Sequence, residues 1–137
     1  MTRLDSGLHV ITAGTALVGR ALLETKDLSP KAVFHGTEDQ DAIWIVEALP
    51  NGRYNLYSKG APAGVEDRKP AGPVVTFLID QADAVEWELA PVADTPKAYR
   101  IISPQGAAWT VADPGEPGRI EALPVQGDVF TFTRIGP

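Results

Sequence analysis

An all-β fold with three-fold internal symmetry is what the sequence predicts, and three observations carry that prediction. The stretches "AIWIVEAL", "AVEWELAP" and "DVFTFTRI" align Trp44, Trp87 and Phe130, each 43 residues from the next. Three further columns recur with nearly the same period: Phe34, Phe77 and Ile120 at 43, His9, Tyr54 and Tyr99 at 45, and Gly14, Gly60 and Gly106 at 46. Glycine and proline are abundant, 13 and 12 of 137 residues, and gather in turn-forming clusters. A fixed period of this length marks one supersecondary unit repeated along the chain.

Each unit reads as four short strands. In the first, residues 7–50, they are His9–Ala13, Leu17–Leu23, Lys31–His35 and Ala42–Ala48. The second, 51–93, has Arg53–Ser58, Ala63–Glu66, Val74–Asp80 and Val85–Ala90. The third, 94–137, has Lys97–Ser103, Ala107–Ala112, Arg119–Leu123 and Asp128–Ile135. Alternation in "RYNLYS" and "VFTFTRI" sends every second residue to a core. "PNGR", "SKGAPAG", "SPQGAA" and "DPGEPG" supply the turns between them. One stretch, "DQADAVEWEL", has the composition of an amphipathic helix, but the repeat puts Trp87 on a strand.

Four strands per roughly 44 residues also describes a propeller blade, yet propellers need about four blades or more to close a ring. Twelve strands in three four-strand pseudo-repeats fit a β-trefoil instead, in which six strands close a short barrel and three hairpins cap it. Closure removes exposed edges. The expectation is a single β-trefoil domain over 1–137, with Trp44, Trp87, Phe130, Phe34 and Phe77 in a shared core. A chain of this length buries such a core without metal or disulfide.

In a symmetric scaffold, function is sought where one repeat departs from its sisters. From Gly14 to Phe34 is 20 residues, against 17 from Gly60 to Phe77 and 14 from Gly106 to Ile120. The first repeat has therefore gained three to six residues between its second and third strands, in "ETKDLSPKAVF", Glu24 to Phe34. Loops on a rigid scaffold commonly carry recognition. Pro30 fixes its own φ and pushes Ser29 toward extended backbone, the form in which a protease cleft accepts a peptide. The candidate binding segment is Lys26, Asp27, Leu28, Ser29, Pro30 and Lys31.

Composition excludes several other classes. The net charge is −6 and the 12 basic residues are scattered, which argues against nucleic-acid binding. With no cysteine there is no disulfide framework, thiolate metal site or cysteine nucleophile. "MTRLDSGLHV" lacks the apolar core of a secretory signal, no apolar run reaches membrane-spanning length, and no N-x-[ST] site occurs. A cytoplasmic setting is expected, with no membrane partner, no cofactor and no metal. "GTALVGRA", Gly14–Ala21, imitates a phosphate loop but carries Arg20 and Ala21 where lysine and a hydroxyl are needed. His9 falls in a column shared with two tyrosines, so a structural role is expected for it. His9 and His35 are the only histidines, and no local spacing proposes catalytic residues. The pairs Glu66/Asp67 and Glu86/Glu88 read as solvated strand and turn residues.

Read together, "SGLHVITAG", "ALVGRALLE", "LSPK", "AIWIVEA", "GAPAGVED" and "VFTFTRI" resemble the fungal β-trefoil serine protease inhibitors of the cospin type, over essentially the whole chain. The resemblance implies a small cytosolic mushroom protein, not an enzyme, that blocks trypsin-like proteases of fungus-feeding animals in defence. It implies that the loop between the second and third strands enters the protease cleft reversibly. The family's reactive residue is an Asn before "PK", where this sequence has Ser29. Side-chain chemistry leaves rivals: Lys26 and Lys31 suit an acidic specificity pocket, and Leu28 suits a chymotrypsin-like one. Two other functions are weighed: inhibition of papain-like cysteine proteases through other loops, and carbohydrate binding. Trefoil lectins carry Gln-x-Trp, which is absent here, so sugar binding is not expected. Trp109, outside the aromatic column, is its first candidate residue.

Overall fold

Every repeat starts on a strand that carries one of His9, Tyr54 and Tyr99, and closes where the chain comes back to pair with that residue. The computed structural model describes residues 4–22, 24–36, 40–111 and 118–137. The first repeat contains β1 (Gly7–Ala13), β2 (Ala16–Ala21), β3 (Lys31–Gly36), β4 (Gln40–Asp41) and β5 (Ile43–Ala48). The second contains β6 (Tyr54–Ser58), β7 (Ala61–Val65), β8 (Gly72–Thr76) and β9 (Glu88–Pro91). The third contains β10 (Ala98–Ile102), β11 (Ala108–Val111), β12 (Gly118–Leu123) and β13 (Phe130–Gly136). Leu23 and Ala112, the expected ends of two strands, and residues 113–117 of the expected turn "DPGEPG" lie outside the described residues.

The pairings are those of a β-trefoil. β1, β5, β6, β9, β10 and β13 follow one another around a closed antiparallel ring, with β6 and β9 joined by a single bridge between Tyr54 and Trp87. β2–β3, β7–β8 and β11–β12 are the three capping hairpins, and their third strands meet pairwise as β3–β8, β8–β12 and β12–β3. Two of the sequence columns are cross-strand partners in every repeat. His9 faces Trp44, Tyr54 faces Trp87, and Tyr99 faces Phe130. Gly14, Gly60 and Gly106 all have positive φ, 62°, 80° and 87°, in the tight turns that open each hairpin.

The structure corrects four expectations. The expected strand Ala42–Ala48 begins one residue later, at Ile43, and an unexpected two-residue strand before it, Gln40–Asp41, pairs with β2 while Ile43 onward pairs with β1. Trp87 stands one residue before β9, and Gln81–Asp83 forms a single 3-10 turn, so "DQADAVEWEL" is neither a helix nor one continuous strand. β8 ends at Thr76, and Phe77 instead donates its N–H to the Pro62 carbonyl at 2.9 Å. Its ring lies over Gly64, where a Cβ would come within 2.6 Å of it. Finally, the registers Lys31↔Thr76, Ala122↔Gly72 and Gly118↔His35 make Val33, Val74 and Ile120 equivalent, and all three are fully buried. Phe34, one residue off that position, turns its ring toward the other face and is only half-buried.

The core sits where the barrel meets its cap. Trp44, Trp87, Phe130, Leu56, Ile101 and Ile120 are among its members. Among the described residues no helix is long and apolar enough to cross a membrane, and no cluster of three or more His, Asp or Glu is placed to hold a metal ion.

Candidate functional site

The β2–β3 connection, residues 22–30, is longer than its counterpart 66–71 in the second repeat. The third counterpart, 112–117, lies outside the described residues. Thr25 through Pro30 are exposed along their whole length. Among the described residues no backbone–backbone hydrogen bond joins them to a neighbouring strand; side chains hold the segment from both ends instead.

At the incoming end stands Arg20, the last residue but one of β2 and only 5% exposed. A buried guanidinium needs a compensating charge. Its Nε and Nη2 donate to the two Glu24 carboxylate oxygens at 3.1 and 2.6 Å, a bidentate pair, while Nη1 donates to the Ser58 carbonyl at 3.0 Å. β2 can pass this close to β4 because residue 19 is glycine: a Cβ there would lie 1.8 Å from the Asp41 carbonyl oxygen. Lys59, at the neighbouring hairpin turn, adds a hydrogen bond to the Ala21 carbonyl at 3.2 Å.

At the outgoing end Lys31, the first residue of β3, is 6% exposed. Its ammonium donates to the Thr25 carbonyl at 3.0 Å, to Thr25 Oγ1 at 3.1 Å and to Asp27 Oδ1 at 2.8 Å. Asp27 Oδ1 also accepts from Thr25 Oγ1, from the Ser29 N–H at 3.3 Å and from the Ser29 hydroxyl. The segment therefore wraps around one carboxylate. The Lys31 ammonium, and then the Ser29 hydroxyl and N–H, hold the Asp27 carboxyl well below the usual carboxylate range.

The six residues singled out in the sequence accordingly divide. Lys31, Asp27 and the Ser29 hydroxyl are bonded to one another within the segment. Lys26, Leu28 and Pro30 are exposed, and Leu28, at 62%, is one of the most exposed large apolar residues of the described chain. Arg20, Glu24 and Thr25 were not among the singled-out residues, although all belong to the same construction. The available signal was a charged residue, Arg20, in an otherwise apolar strand, "ALVGRA".

Trp109 does not form a sugar platform. It is fully buried on the pseudo-three-fold axis, with ring centroids 5.8 Å from Trp44, 5.5 Å from Trp87 and 5.9 Å from Phe130. His9 is likewise buried, with Nδ1 3.3 Å from the Gly7 carbonyl and its ring edge-on to Phe132.

The sequence model of the peptidase inhibitor I66 family matches residues 1–133. Among solved structures, a proteinase inhibitor from Coprinopsis cinerea is similar at a TM-score of 0.82 and 24% identity, covering 96% of this chain and 99% of that one. The designed three-fold symmetric protein ThreeFoil is similar at 0.74 and 16% identity, covering 94% and 99%. The Macrolepiota procera ricin B-like lectin, solved with lactose, is similar at 0.68 and 19% identity, covering 98% and 100%. Among curated protein sequences none matches. At these identities the solved structures speak for the fold.

Proposed function

This chain belongs to the peptidase inhibitor I66 family, and from that premise we propose that it is a reversible inhibitor of serine proteases whose β2–β3 segment, Lys26–Lys31, occupies the enzyme's cleft. It is an inhibitor by family, not an enzyme. The observation that carries the reading is the segment itself: longer than its sister in the second repeat, exposed at Thr25–Pro30, and braced by buried charges at both ends. A pre-ordered segment loses little conformational entropy on binding, so more of the contact energy appears as affinity. Pro30 follows Ser29, and a bond beside proline is a poor substrate for most serine proteases, which suits an inhibitor that must bind without being cut.

Trypsin-like specificity is the finer part of the reading. With the Lys31 ammonium bonded inside the segment, that specificity rests on Lys26. The resemblance to cospin-type inhibitors supports Ser29 as the residue nearest the pocket, and it supports a cytoplasmic, defensive setting.

The test is a panel of trypsin, chymotrypsin, elastase, subtilisin and papain assayed with the pure protein. Inhibition of serine enzymes and not of papain is expected. A second protein has Lys26, Leu28, Ser29 and Pro30 replaced by Gly and Ser while Asp27 and Lys31 stay, so that the buried ammonium keeps its partner. It should lose inhibition and keep its melting temperature within a few degrees. Full-strength inhibition by that variant would move the active surface elsewhere on the trefoil, and inhibition of papain alone would point to other loops.

A further inference from the structure

We infer that Leu28 is the side chain that fills the protease's specificity pocket, and that the target is accordingly a serine protease whose pocket is apolar. The inference rests on the inhibitor reading above, and it puts Leu28 and an apolar pocket in place of the trypsin-like specificity that Lys26 or Ser29 would give. A pocket-filling residue needs a fixed main chain and a free side chain, since ordering either during binding subtracts from affinity. Leu28 meets both conditions. The Ser29 N–H donates to Asp27 Oδ1 at 3.3 Å, which makes Leu28 the central residue of a turn closed by a side chain. Both flanking side chains are tied down by hydrogen bonds: Asp27 by Lys31 at 2.8 Å, and Ser29 by its own hydroxyl to the same carboxylate. Between two polar side chains committed to one another, the Leu28 side chain is the free one, 62% exposed.

The other residues of the segment are less suited. Lys31 is buried and its ammonium is shared among Thr25 and Asp27. The Ser29 hydroxyl is committed to Asp27. Lys26 is exposed but lies before the closed turn, and an immobilised lysine loses roughly twice the rotamer entropy of a leucine. An apolar side chain held in water at a pre-formed apex also gains from burial in a pocket of matching character.

The experiment measures inhibition constants of wild type, Leu28→Ala, Leu28→Lys and Lys26→Ala against chymotrypsin, subtilisin and trypsin. Leu28 is exposed, so these changes leave the fold intact, checked by circular dichroism and melting temperature. Wild type is expected to inhibit chymotrypsin or subtilisin more strongly than trypsin. Leu28→Ala should weaken that inhibition by about thirtyfold or more, as for a central anchor residue. Leu28→Lys should move the preference to trypsin, and Lys26→Ala should weaken inhibition far less than Leu28→Ala does. Inhibition that is unchanged in Leu28→Ala, or that is directed at trypsin and lost in Lys26→Ala, overturns this inference and leaves the inhibitor reading standing. Absence of inhibition by wild type across all three enzymes overturns both.

Discussion

Trp109 and Gly19 carry most of what is particular to this trefoil at the scale of single residues. Three equivalent side chains cannot all be large where they converge on an axis. Here Trp44 and Trp87 donate their indole N–H groups to Val18 and Ala63 carbonyls at 2.8 and 3.2 Å, and those two second-strand residues are small. In the third repeat the arrangement is exchanged. Phe130 has no N–H to donate, and the second strand contributes Trp109, whose ring reaches the other three and whose buried N–H has no partner among the described residues. Trp109→Ala should therefore cost about 3–5 kcal/mol, like Trp87→Ala, because the cavity opens on the axis where no single repeat can collapse into it. Chemical denaturation measures both. Gly19→Ala should cost about 1–3 kcal/mol, since the new methyl meets a backbone oxygen of β4 that moves only with the strand. A Gly19→Ala protein as stable as wild type would show that β4 yields more readily than a paired strand should.

Among the elements, the β2–β3 segment is ordered by charge rather than by a ladder of backbone hydrogen bonds. The Arg20–Glu24 pair is nearly desolvated, and removing the acid strands a buried cation. Glu24→Ala should cost about 3 kcal/mol, against a few tenths for a fully exposed ion pair. Asp27 makes the brace resistant to acid. Its folded-state pKa is depressed, so the stabilisation it contributes is present above its ordinary value of about 3.8 and is lost only as pH falls through the lowered one. A carboxyl NMR titration should place the Asp27 midpoint well below its ordinary value of about 3.8. In Lys31→Met, whose side chain retains the length but offers no donor, the Asp27 titration should return toward the ordinary range.

For the whole molecule, pH acts through the barrel. Burial lowers the pKa of His9 below 6.5, with the Gly7 carbonyl opposing and Arg134 adding to the shift. The unfolded chain takes up a proton near 6.5 that folded His9 refuses, so stability should decline as pH falls below about 6.5 and level off beneath the lowered folded-state value. His9→Tyr, which copies Tyr54 and Tyr99 at the equivalent positions, should remove that slope in thermal melts between pH 5 and 7. Sugar recognition is a second property of the whole surface. The sequence has no Gln-x-Trp, and all three tryptophans are fully buried. A glycan array is expected to show no sugar-competable binding, and a strong competable signal would place this chain functionally with the lectins that share its fold.

Three-fold symmetry was legible in the sequence because the residues that converge on an axis must recur at one period, whatever their identity. His9, Tyr54 and Tyr99 are the register partners of Trp44, Trp87 and Phe130 on neighbouring stretches of the barrel, and the column glycines occupy left-handed turns. The length excess of the first repeat's loop was legible for the same reason, since a departure from a period can be counted. What the sequence could not decide was orientation. Side chains on a strand alternate, so an offset of one residue sends Val33 inward and leaves Phe34 half-buried, although Phe34 is the bulkier. Burial of Lys31 and Arg20 was hidden for a related reason. A charged residue is read as exposed until a partner is found, and their partners become neighbours only when the loop folds back over the ends of β2 and β3. The period along the chain determined the fold; the tertiary structure alone decided which charges are paired within the loop and which of its side chains are left exposed.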